Sequence, residues 1–256
     1  DPLDSTSSPQ EVPQWRANLN NLNLKGLRIG MPKEYFIEGL DPKIRSIIEA
    51  AARQFEGEGA IIKQISLPHT QYAPAAYYIV APAEAASNLA RYDGMRYGVR
   101  VEGKSLNETY LASRTAGFGA EVKRRIMIGN YALSSGYYDA YYTKAMQTRT
   151  LISQDFDKAF EDVDVIFAPT SPTAAFPIGS KSNDPVAMYL GDAFTIPTSL
   201  AGLPGLSINA GTVEENGIRL PVGLQLIGPR WNENILFQVA FAWEKMAGLT
   251  QPPFKS

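Results

Sequence analysis

The chain has 256 residues, with Lys+Arg 24 against Asp+Glu 26, a formal net charge of −2, and an apolar content of 45%. Such a length suits one large domain or two small ones, and the near-neutral balance argues against a principal nucleic-acid binder, whose affinity comes from clustered Lys and Arg on phosphates. Zero cysteines exclude disulfides and thiolate chemistry, the single His69 excludes a His-rich metal site, and no apolar run approaches the roughly 20 residues of a spanning helix.

The first 24 residues read as a connector. They carry three prolines and no sustained period, and the polar opening Asp1-Pro2-Leu3-Asp4-Ser5 is no secretory leader. No initiator Met is present, so the chain reads as entered midway. From residue 25 to 256 the signals belong to one folded region. Leu27 to Met31 predicts a strand closed by Pro32. Asp41-Pro42 is an N-cap with proline at the first helical position, and Ile44, Ile47, Ile48, Ala51 and Phe55 follow at helical spacing. Ala60 to Ile65 is a second strand, so the unit is a strand–helix–strand crossover between parallel strands.

The middle predicts helices near 73–91, 106–114, 120–133 and 138–160, with Pro82 expected to kink the first. Gly117-Phe118-Gly119 and Ser134-Ser135-Gly136 are the breaks. Asp164 to Ala168 is an apolar run that suits a buried strand. Leu206–Thr212 and Val222–Gly228 flank Asn216-Gly217, a hairpin signal, and a last helix covers 232–246. The sum is α/β: a mixed β-sheet covered by helices.

Few residues offer chemistry. His69 lies in the loop Leu67-Pro68-His69-Thr70 and reads as a surface or capping histidine, because no Gly-x-Ser-x-Gly elbow accompanies it. No phosphate-binding glycine loop occurs. Ser134-Ser135 reads as a helix-end capping pair. In Lys123-Arg124-Arg125, an inward stripe of Val122, Ile126, Gly129 and Leu133 sends Arg124 to solvent and leaves Lys123 and Arg125 flanking it. From spacing alone a solvated face leads, with Arg125 as a fork for a carboxylate the sharper alternative. Asp192, in the apolar segment Met188-Tyr189-Leu190-Gly191-Asp192-Ala193-Phe194, either caps the following turn or accepts from a ligand ammonium. Tyr137, Tyr138, Tyr141 and Tyr142 read as core and interface aromatics.

Longer stretches carry a resemblance. Tyr77-Tyr78-Ile79-Val80-Ala81 with Arg91-Tyr92-Asp93-Gly94, Leu133-Ser134-Ser135-Gly136-Tyr137-Tyr138, Pro169-Thr170-Ser171-Pro172-Thr173, Ser199 to Gly205 and Pro221-Val222-Gly223-Leu224-Gln225 resemble the A subunits of the glutamyl-tRNA(Gln)/aspartyl-tRNA(Asn) amidotransferases, within the amidase-signature family. The resemblance implies the C-terminal half of an amidase-signature fold. The family's Ser–cis-Ser–Lys triad sits in a Gly/Ser-rich signature upstream of this sequence, so no catalytic residue is assigned here, and the chain alone is expected to be inactive. What the resemblance places on this sequence is recognition of glutamine: Arg125 for the α-carboxylate, Asp192 for the α-ammonium, and Tyr77 lining the same pocket.

It further implies a glutamine-hydrolysing component of a cytoplasmic heterotrimer, with no cofactor or metal of its own. A B subunit would use ATP and Mg and hold the tRNA, and a small C subunit would complete the assembly, with no membrane involved. The tRNA(Gln) and tRNA(Asn) pathways stay undistinguished at this stage. Two other readings stand beside it: a different amidase-signature hydrolase, which the Arg125/Asp192 pair disfavours, and a non-catalytic binding module.

Overall fold

A computed structural model describes residues 1–180, 188 and 191–248. The chain divides into two compact units. One comprises Asp1–Ser66, Lys158–Pro177 and the chain from Gly202 onward; the other comprises Leu67–Asp157 and Ile178–Ala201.

The first unit holds the sheet. Its strands are β1 (Arg28–Pro32), β2 (Ile61–Ile65), β3 (Val165–Pro169), β4 (Gly205–Glu215) and β5 (Ile218–Ile227), in the order β2-β1-β3-β5-β4. β1 pairs parallel with both β2 and β3, while β5 pairs antiparallel with β3 and β4. The sheet is therefore mixed, as the sequence predicts. Strand β1 runs one residue beyond expectation, because Pro32 needs no donor at the strand end. The hairpin strands reach right up to the turn, where Asn216 and Gly217 have φ of 51° and 76°. Two successive positive φ values match the right-handed twist of the flanking strands, which lets pairing continue to the last residue.

Three helices belong to this unit: α1 (Trp15–Asn18), α2 (Pro42–Gly57) and, near the end, the helix Glu233–Ala247. The Asp41 carboxylate caps α2 by accepting from the Lys43 N–H at 2.7 Å. Phe55 of α2 meets Phe167 of β3 edge-on at 5.1 Å and stacks on Trp243 of the last helix at 5.9 Å. All five β3 residues are buried, so this strand is the centre of the core. Within the opening segment, Trp15 lies 5.6 Å from Phe237, and Gln238 donates to the Asn18 carbonyl at 2.7 Å.

The second unit is helical. It contains α3 (Ala73–Leu89), α4 (Leu106–Gly117), α5 (Ala120–Leu133), most of α6 (Lys144–Asp162) and α7 (Ile196–Ala201); the last helix of the chain is then α8. Helix α3 runs on through Pro82 rather than ending there. Proline there removes one backbone donor, and burial of Pro82 against α5 offsets the loss. The helix expected over 138–160 begins as a π turn, Asp139–Thr143, before α6. The tyrosines around it are a correction. Tyr137, Tyr138 and Tyr141 are exposed rather than in the core. Tyr137 stacks on Tyr131 at 4.2 Å, and their hydrogen bond is the main cause that pushes the Tyr131 phenol up to about 12.

Candidate binding site

The site is built where α3 and α5 touch. Gly129 is buried on α5, and a Cβ there would lie 2.0 Å from the Pro82 carbonyl oxygen and 2.8 Å from the Ala86 Cβ. Only glycine lets the two backbones meet so closely. One helical turn before Gly129 stands Arg125, and on the facing helix, before Pro82, stands Tyr77. Tyr77 lies close enough to Arg125 to help raise its guanidinium, so the two side chains interact electrostatically. The close helix contact thus brings together two residues 48 positions apart in sequence.

Arg125 is about one-third exposed. Its Nε donates to the Glu121 Oε1 at 3.0 Å, while Arg124 Nη1 donates to the other oxygen of the same carboxylate at 2.6 Å. The hydrogen bond to Glu121 is the main cause that raises the Arg125 guanidinium above its ordinary value; partial burial opposes it, and Tyr77 adds to the rise. The guanidinium is therefore a fixed, permanently charged fork in a half-covered position. Such a group binds a carboxylate.

Arg124 points to solvent as its helical angle predicts, with its side chain 54% exposed. It is nevertheless not an isolated surface charge, because it shares Glu121 with Arg125. Lys123 turns toward α4 and donates to the Thr115 carbonyl at 2.9 Å. Glu121 is the residue that spacing in this stretch could have disclosed: a Glu four positions before an Arg on a helix is a favourable pair, and it sits in the first turn, where a negative charge suits the helix dipole.

Asp192 lies in the turn leading into α7, within the same unit. Its backbone carbonyl accepts from the Thr195 N–H at 3.1 Å and the Ile196 N–H at 3.0 Å, so the main chain closes this turn. The carboxylate is exposed, and among the described residues no ion pair joins it to Arg125. Tyr189 and Leu190 of the apolar segment around it lie outside the described residues. Helix α7 packs on α3, the helix that carries Tyr77, and Arg149 Nε of α6 donates to the Leu200 carbonyl at 2.8 Å. The structure thus sets Tyr77 near Arg125 and holds Asp192 in the same unit, with no ion pair to Arg125 among the described residues.

The remaining candidates are structural. His69 Nδ1 lies 2.9 Å from Asp155 Oδ1, and the His69 backbone N–H donates to Asp155 Oδ2 at 2.8 Å, so one carboxylate clamps the loop onto α6. Ser134 Oγ donates to the Tyr131 carbonyl at 2.8 Å, the helix-end role expected of it. Among the described residues no cluster of His, Asp and Glu could hold a metal ion, and no helix is long and apolar enough to cross a membrane.

The amidase family matches residues 1–237. The chain belongs to the amidase family. Its similarity to curated amidase-family proteins is high: it is 53% identical over 253 residues to the A subunit of the glutamyl-tRNA(Gln) amidotransferase of Rhodospirillum rubrum, covering 99% of this chain and 50% of that protein. The corresponding protein of Moorella thermoacetica is 56% identical over 245 residues, covering 96% and 49%. Among solved structures, its counterpart from Thermotoga maritima aligns with a TM-score of 0.66 and 36% identity, over 93% of this chain and 45% of that one. The chain therefore spans about half the length of the amidase-family relatives it matches.

Proposed function

We propose that this chain is the glutamine-recognising part of the A subunit of a glutamyl-tRNA(Gln) amidotransferase. Arg125 receives the α-carboxylate of glutamine on its fork, Tyr77 lines the pocket beside it, and Asp192 accepts from the α-ammonium. Three groups on one amino-acid end fix the direction of the side-chain amide, and orientation of that kind lowers the barrier of amide hydrolysis carried out by a nucleophile elsewhere in the whole protein. The observation that carries the reading is a partly exposed Arg125 fork, held at Nε by Glu121 and near Tyr77, beside a helix crossing that needs glycine at position 129. High identity to proteins of that name supports it. In the same reading the ammonia passes to a B subunit that holds the tRNA and uses ATP and Mg, a C subunit completes a cytoplasmic heterotrimer, and this part needs no cofactor of its own.

No residue of this chain is assigned as nucleophile or base, so the 256 residues alone are expected to release no ammonia from glutamine. Ammonia release by the purified chain that is lost in Ser135→Ala would contradict this assignment. In the assembled amidotransferase, Arg125→Ala should lower kcat/KM for glutamine about 30- to 1,000-fold, the range expected for a lost charge-assisted bidentate contact. Arg125→Lys should recover little of it, because an ammonium cannot make two parallel hydrogen bonds. Free ammonium should bypass the defect in tRNA amidation. Glutamine use by Arg125→Ala within about twofold of wild type would overturn the reading.

A further inference from the structure

Glu121 divides its carboxylate between two arginines, one oxygen to each. On Arg125 it takes the Nε hydrogen bond, at 3.0 Å, and Tyr77 lies near the same guanidinium. A guanidinium can receive a carboxylate either on the Nε side or on the end formed by its two terminal nitrogens. With Nε engaged, the terminal end is the edge left for a ligand. The Glu121 backbone is itself fixed in the first turn of α5, where the helix dipole favours its charge. Arg124 Nη1 holds the second oxygen at 2.6 Å.

We propose that Glu121 is a positioning residue for amino-acid binding, setting the plane of the Arg125 guanidinium so that its terminal edge meets the α-carboxylate. The inference rests on the proposed role of Arg125 in glutamine recognition and adds to it a residue that never touches the ligand. Arg125 without Glu121 keeps its charge and loses its orientation. Rotamer freedom in a long side chain must then be removed at each binding event, which weakens binding and leaves the chemical step alone. Glutamine at position 121 would still offer a side-chain oxygen to Nε, whereas alanine would not.

The test is steady-state glutaminase kinetics of the assembled amidotransferase carrying Glu121→Ala, Glu121→Gln or Arg125→Ala, with thermal melting of each. Glu121→Ala should raise KM for glutamine about 5- to 10-fold with kcat within about twofold, as expected for a lost interaction made equally in ground and transition states. Glu121→Gln should stay within about twofold of wild type in KM, because the acceptor for Nε remains. A KM in Glu121→Ala that is unchanged, or lower than wild type, overturns the proposal while the Arg125→Ala defect leaves the glutamine reading intact. Equal KM rises in both Glu121 variants together with a lowered melting temperature also overturn it, since the loss then tracks folding. A normal Arg125→Ala enzyme overturns the reading beneath it instead.

Discussion

Strand β3 of the sheet unit and helix α5 of the helical unit treat apolar side chains in opposite ways. In the sheet unit β3 buries every one of its five residues, and Phe55, Phe167 and Trp243 close over it. In the helical unit α5 has 14 residues and buries only Gly129 and Ala132, leaving Met127, Ile128 and Tyr131 exposed. Burial on that scale makes β3 the centre of the first unit's core. The second unit buries residues of its own, among them Leu67, Ile152 and Phe156, while α5 keeps polar groups at partial exposure. The proposed role of Arg125 suits the second unit for a physical reason: an arginine meant for a ligand carboxylate has to remain reachable, and a fully buried one would already be paired.

The contrast can be broken most strongly in the sheet. Phe167→Ala empties a fully buried site against Phe55 and should lower stability by about 3–5 kcal/mol, read as a shift in the denaturant midpoint. A loss under about 1 kcal/mol would show that the sheet core is not the main support of this unit. In the helical unit Gly129→Ala inserts a methyl 2.0 Å from the Pro82 oxygen. The gain in helix propensity, about 1 kcal/mol, is outweighed by overpacking, so a net loss of about 2 kcal/mol is expected. Glutamine use should fall with it, since α3 and α5 must separate. Stability equal to wild type would mean that the two helices can part without cost.

The His69 clamp gives a smaller effect. His69→Ala removes the ring contact to Asp155 but keeps the backbone one, and should cost about 1 kcal/mol by thermal or chemical unfolding. Asp155→Ala removes both contacts and should cost more; the reverse order would contradict the clamp.

The smallest effect is electrostatic. The Arg28 hydrogen bonds at the base of β1 hold the Asp164 carboxyl below its ordinary value. A depressed folded value means that the stabilisation is present above the unfolded carboxyl range near about pH 4 and is lost as pH falls through the folded value. Both partners are about one-third exposed, so solvent screening limits the pair to about 1 kcal/mol or less. Asp164→Asn should show that loss at about pH 7 and a shallower decline of stability below about pH 4. An acid limb as steep as that of wild type would assign the pH dependence to other carboxylates.

Much of the local structure was legible in the residues themselves. Asp41-Pro42 marked the start of α2 and Asn216-Gly217 marked the hairpin, because each pair satisfies a backbone requirement within a few residues. The buried strand at 165–169 was equally plain from its unbroken apolar run. The tyrosines after Ser135 misled as to the core: an aromatic-rich run looks like core, and whether it is covered depends on what packs against it. The site was half legible. Spacing separated Arg124 from Arg125 and directed the first to solvent, and the fold adds that the two share the Glu121 carboxylate.

The sequence by itself therefore determined the caps, the turns, the strand at the centre of the core and the kinds of side chain available for binding. Each of these is settled by forces acting within about one helical turn or one strand. Only the tertiary structure decided that Tyr77 comes near Arg125 and that Gly129 is the reason their two helices can meet. Those contacts depend on how closely two helices approach and at what angle. That approach is set by the absence of one Cβ against a carbonyl on another helix, a quantity that no single segment contains.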